Sequence, residues 1–209
     1  MNGDRSRHGE EHPGVDLLQS IVSSLQPDRV QYLVEFWLEK EANLILGAAF
    51  VSECASTLHE VLCSTESPQA WSKRLAENTA CPLNTDGSTD RDSYIRSFCN
   101  KNVRWETLCL ALVAVGRAAI DIPFFPPLYT SEVDRRAMQR TASSYADRCA
   151  EIAVSFDVAN DLLLISQYEN WILYTMVDGD QSKLKPVHRR INCTNEASQA
   201  MIPGVDSGT

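Results

Sequence analysis

The chain has 209 residues, 44% of them hydrophobic and 22% charged, which is enough for one domain with a real core and close to the average of soluble globular proteins. Its formal net charge of −9 repels phosphate and argues against a free-standing nucleic-acid binder. The longest apolar run, Leu108 to Ala119, is interrupted by Gly116 and Arg117 and falls well short of the ~20 residues that span a bilayer.

Residues 1–14 are rich in charge and poor in apolar side chains, which predicts a disordered arm without the apolar region of a secretory signal. From Val15 onward, Leu17, Leu18, Ile21, Val22 and Leu25 recur at intervals of three and four, the spacing of one helix face. Pro27 closes that helix and suits the first turn of the next, with Asp28 near the positive end of the dipole. Val30, Leu33, Val34, Trp37 and Leu38 form the second stripe, and Phe50, Cys54, Leu58, Val61 and Leu62 the third. Ser67-Pro68 is a capping residue followed by proline at the first helical position, and Trp71 and Leu75 anchor the short helix it opens. Residues 79–92 carry turn chemistry throughout and predict a loop, with a further helix around Ser93–Lys101.

Residues 103–122 are apolar on most sides, the pattern of a central core helix. Gly116 within it costs ~1 kcal/mol against alanine and predicts close approach of a neighbouring helix. Three prolines in residues 122–129 forbid helix continuation and predict a stiff apolar strap over the core. Ser131 with Asp134 resembles a capping box with Asp in place of Glu, and opens a helix whose buried face is Met138, Ala142, Tyr145, Cys149, Ile152 and Ala153. The charges of Asp134, Arg135, Arg136 and Arg140 are assigned to its solvated side. Asp157 is expected to cap a last long helix reaching about Val177, with Gly179 ending it. Leu162, Ile165, Glu169, Ile172 and Met176 follow the three-four spacing on one side of that helix, and Leu163, Tyr168, Trp171, Leu173 and Tyr174 are assigned to a second. Residues 183–209 are polar, hold two prolines and lack periodicity, which predicts a disordered tail. No alternating pattern competes for strand. The expected fold is all-α: a multi-helix array of antiparallel helices over residues 15–182, forming a single incomplete domain.

The chemistry-bearing residues point away from catalysis. Seven cysteines, an odd number, include no C-x-x-C pair, so the thiolate spacing of zinc fingers and zinc clusters is missing. Cys54, Cys109 and Cys149 lie in apolar or helical stretches as small hydrophobes, consistent with a reduced intracellular protein. His59-Glu60 begins a metalloprotease-like pattern but reaches Cys63 where a second histidine is needed, with no further ligand evident. Asp178-Gly179-Asp180 lacks the twelve-residue spacing of a calcium loop. Nucleophile elbows, phosphate loops and dinucleotide fingerprints do not occur. Lys183, Lys185, His188, Arg189 and Arg190 form one short basic cluster, read as solvated tail with nuclear import or nucleic-acid contact as the alternative.

Three segments taken together carry a resemblance: Arg104-Trp105-Glu106-Thr107-Leu108 running into Val115-Gly116-Arg117-Ala118-Ala119; Ala146-Asp147-Arg148-Cys149-Ala150; and Tyr168-Glu169-Asn170-Trp171 followed by Met176-Val177-Asp178-Gly179-Asp180-Gln181-Ser182. In this order, with Leu33-Val34-Glu35-Phe36-Trp37 upstream, residues 15–182 resemble the fungal-specific regulatory domain, or middle homology region, of zinc-cluster transcription factors. The resemblance implies an all-α domain of a nuclear regulator that normally follows a six-cysteine zinc cluster. That cluster is missing here, so DNA recognition and zinc do not carry over. After Ser182 the text departs from the helices with which the family continues.

The expectation is therefore a transcription-regulator-like, nuclear, non-enzymatic module without cofactor, membrane contact or direct DNA binding. Its partners are expected to be proteins, through self-association or a full-length paralogue. Alternatives are an inhibitory partner of such paralogues, and an all-α enzyme or ligand-binding protein with a buried apolar pocket. The candidate interaction surface is Leu163, Trp171, Leu173 and Tyr174, the side of the last helix that the family's later helices would cover.

Overall fold

The computed structural model describes residues 13–40, 47–83, 88–123, 126 and 128–178. Among them lie eight α-helices and no strand: α1 (Pro13–Ser24), α2 (Pro27–Glu39), α3 (Ala48–Cys63), α4 (Pro68–Ala80), α5 (Arg91–Arg96), α6 (Trp105–Asp121), α7 (Glu132–Ser155) and α8 (Asp161–Asp178). A single 3-10 turn, Asn100–Asn102, separates α5 from α6. The expected arm and tail, and the basic cluster from Lys183 to Arg190, fall almost wholly outside the described residues, as does Gly179.

Local chemistry sets the helix starts. Pro27 opens α2. The Ser67 side chain accepts from Ala70 N at 3.2 Å at the start of α4, and Asp90 accepts from Ser93 N at 2.9 Å at the start of α5. Ser131 accepts from Asp134 N at 3.1 Å at the start of α7. Each bond satisfies one of the orphan N–H groups of a first turn. The start of α8 corrects the reading of Asp157. That residue sits four positions before the helix with φ +55°, in a turn, and Asn160 supplies the cap by accepting from Leu163 N at 2.8 Å.

α6 is the axis of the molecule. It packs against α2, α3, α4, α7 and α8, and Leu108, Ala111, Leu112 and Val115 have no exposed surface. The apolar faces expected on α1, α2, α3 and α7 point into the same core, except that Val22 is exposed. Gly116 allows α8 to approach α6: a Cβ there would lie 2.8 Å from both terminal methyls of Leu173. Four thiols, Cys54, Cys99, Cys109 and Cys149, are buried and free, and loss of hydration on burial pushes those of Cys54, Cys109 and Cys149 well above their ordinary range.

The strap between α6 and α7 lies on the core through Ile122, Leu128 and Tyr129, all buried. Arg29 of α2 holds it, donating from Nε to Leu128 O at 2.6 Å and pairing with Asp134 at 2.6 Å. Arg135 donates to Ala119 O and Ile120 O, the unpaired carbonyls at the end of α6. Asp134 and Arg135, assigned above to a solvated face, are thus half-buried joints, whereas Arg136 and Arg140 are exposed.

Candidate functional site

The first resemblance segment forms a buried polar joint. Arg104 enters the start of α6 and donates to Asn78 O, Thr79 O and Cys81 O, the C-terminal carbonyls of α4. Its guanidinium pairs with Glu106 at 3.3 Å, with both side chains nearly inaccessible. The Glu106 carboxylate also accepts from Thr79 Oγ1 at 3.2 Å and Asn160 Nδ2 at 3.1 Å, so one ion pair ties the end of α4 to the starts of α6 and α8. Thr107 Oγ1 accepts from Arg104 N and donates to Phe98 O. The side chains of Arg104, Glu106 and Thr107 all face partners inside the protein, which makes this stretch a fastening between helices. The second and third segments meet where Asn170 donates to Asp147 at 3.3 Å, and Cys109 Sγ of α6 donates to Ser166 O of α8 at 3.8 Å.

α8 carries the candidate surface, in a phase that differs from the sequence expectation. Its inward line is Leu162, Ser166, Glu169, Asn170 and Leu173, all buried. Three of these five are polar. Glu169 is held in the core by Arg117 at 2.7 Å, and the Arg117 guanidinium lies 5.7 Å above the Trp37 ring. Two of the residues placed inward by apolarity alone, Ile165 and Ile172, are half-buried, and Met176 is exposed. Of the four residues chosen for interaction, Leu163, Trp171 and Tyr174 are half-buried and Leu173 is fully buried against Gly116. Leu173 is therefore withdrawn from the surface, because the glycine notch in α6 takes its side chain.

The outward ridge consists instead of Leu164, 59% exposed, Tyr168, 47%, and Met176, 42%, with half-buried Trp171 and Ile172 alongside. The Tyr168 and Trp171 rings lie 6.2 Å apart. Leu164, Tyr168, Ile172 and Met176 follow the i, i+4 row, which forms a continuous ridge on a helix. Between Leu162 and Val177 the sole charged residue is Glu169, and it points into the core. The outward face over these residues therefore carries no charge. The sequence signal for this phase was Gly116: had the helix been rotated to seat Leu173 in that notch, Leu164 and Tyr168 would have fallen outward.

Cys63 Sγ approaches His59 Nε2 at 3.5 Å, and the same Nε2 lies 3.5 Å from Asp28. Cys63 Sγ also lies 3.9 Å from His59 Nδ1, and the Asp28 carboxylate is fully exposed, so it does not hold the ring fixed as a nucleophile–base relay requires. Among the described residues no group of three or more His, Cys, Asp and Glu side chains is placed to hold a metal ion. No described helix is long and apolar enough to cross a membrane. A cavity of about 20 Å³ lies between α3, α6 and α8, lined by Phe50, Val51, Cys54, Leu110, Val113, Ala114 and Glu169, room for about one water. A shallow polar cleft of about 500 Å³ runs between α3 and α5, past Ser52, Glu53, Asp92, Arg96 and Asn100. No family model, curated protein or solved structure matches the chain.

Proposed function

We propose that this protein is a helical interaction domain of a nuclear transcription regulator, docking other proteins through the outward ridge of α8 and carrying no catalytic chemistry of its own. The observation that carries this reading is the uncharged apolar ridge of Leu164, Tyr168, Ile172 and Met176. An exposed apolar patch on a soluble domain marks an interaction surface. The regulatory part of the reading rests on the resemblance of the three segments, and their mutual packing on α6, α7 and α8 supports treating them as one unit. With a net charge of −9, the chain acts on DNA through a protein partner rather than by touching it. A small-molecule effector is disfavoured in the α3–α6–α8 cavity, since ligand pockets run to ~300–1,000 Å³.

The test is a reporter assay with the whole chain fused to an unrelated DNA-binding domain. The fusion is expected to change reporter output. Leu164→Glu is expected to abolish the change, and Val133→Glu, at a 73% exposed residue on α7, to preserve it. A folded, nuclear fusion without effect, or an effect indifferent to Leu164→Glu, overturns the proposal.

A further inference from the structure

We infer that the occupant of the α8 ridge is the same ridge on a second copy of this chain, paired antiparallel about a two-fold axis beside Asn170. The inference rests on the reading of α8 as a docking face and names its partner. Charge comes first. Each copy carries −9, so two copies repel, and the repulsion is least where they meet with no charge exposed. The outward face of residues 162–177 is such a place, its one carboxylate being turned inward onto Arg117. A basic partner would find no anion there, and an acidic one no cation.

Self-complementarity comes second. A two-fold contact requires that if residue i meets residue j, then j meets i. An antiparallel pair centred beside Asn170 sets Leu164 opposite Met176 and Tyr168 opposite Ile172, so every ridge residue meets another large, uncharged side chain of the ridge. The ridge spans twelve residues, ~18 Å of helix. A contact confined to it is smaller than the ~1,600 Å² of a standard stable interface, so the dimer is a reversible one.

The experiment is sedimentation equilibrium on the full chain up to ~0.1 mM, where a contact of micromolar affinity is populated. Circular dichroism serves as the folding control for every variant. The wild type is expected to rise from the mass of one chain toward two. Leu164→Glu alone and Met176→Lys alone are each expected to hold the mass at one chain. The double variant Leu164→Glu/Met176→Lys is expected to recover the dimer, because an antiparallel pair sets each glutamate opposite a lysine, whereas a parallel pair sets like charges together. A monomeric wild type overturns the inference, as does a double variant that stays folded and monomeric. If the wild type is monomeric while the reporter effect still requires Leu164, the ridge serves a different protein: the second-copy inference falls and the docking function stands. If a dimer forms that Leu164→Glu leaves intact, and the reporter ignores that variant too, both fall.

Discussion

At the scale of single residues, the buried ion pair Arg104–Glu106 is the joint most sensitive to change. Removing one partner of such a pair leaves an uncompensated charge in the core, at a cost of ~3–5 kcal/mol. Glu106→Ala strands the Arg104 guanidinium and also deprives Thr79 and Asn160 of their acceptor. A loss of this size is expected in denaturant unfolding, and a loss below ~1 kcal/mol would contradict the role assigned to the joint. Tyr129 gives a prediction of opposite sign. Its ring lies under Arg29, with the guanidinium 5.5 Å away, and its buried hydroxyl has no hydrogen-bond partner among the described residues. Burial pushes its pKa from 10.0 up to about 12. A raised folded-state pKa favours the neutral phenol in the native state, so this contribution is fully present below pH 10 and is lost as pH rises through about 12. Tyr129→Phe removes the unsatisfied group and the titration together. Stability at neutral pH is expected to hold or to rise by ~1 kcal/mol, and the alkaline loss between those two values to flatten. Lower neutral stability with an unchanged alkaline limb would show that the hydroxyl has a partner.

At the scale of elements, the α6–α8 contact turns on Gly116. An added Cβ at that position meets the terminal methyls of Leu173 at 2.8 Å, too close for any real contact, so the buried Leu173 side chain must move or the two helices must part. Gly116→Ala is expected to cost ~1–3 kcal/mol, the range for overpacking, despite the gain in helix propensity. Leu173→Ala leaves a cavity of its own, yet the two changes together should cost less than their sum. A double-mutant cycle with no coupling would mean that the two helices do not meet there. The same contact shows how far the sequence was legible. The helices other than α5, the Ser67 and Ser131 caps, the central character of α6 and the close approach at Gly116 all follow from periodicity and local chemistry; α5 runs Arg91–Arg96 instead of the expected Ser93–Lys101, because Asp90 caps it early and the chain turns into the 3-10 turn at Asn100–Asn102. The rotation of α8 does not follow from them. Its inward line includes Ser166, Glu169 and Asn170, polar residues that become interior because Arg117 and Asp147 meet two of them across other helices. A rule that turns apolar residues inward therefore sets α8 in the wrong phase, sending Met176 in and Leu173 out. The cap of that helix was missed for a related reason. Asp157 and Asn160 both have capping chemistry, and the left-handed backbone at Asp157, which breaks the chain's course before α8, has no mark in the sequence.

At the scale of the whole molecule, an acidic chain packs α2, α3, α4, α7 and α8 around α6 and, among the described residues, turns an uncharged apolar ridge of α8 outward. The proposed function, recruitment by protein contact, draws on both the resemblance to a regulatory domain and the ridge. The central claim is that the α8 ridge closes on its own copy through apolar rather than ionic contact. Light scattering of the full chain over a concentration series, at low salt and again at ~0.5 M salt where the Debye length falls to a few ångströms, tests it most directly. The account predicts a mass that climbs from one chain toward two, and climbs at lower concentration in high salt because screening weakens the repulsion between two −9 chains. A mass of one chain at every concentration, or an association that high salt dissolves, would contradict it.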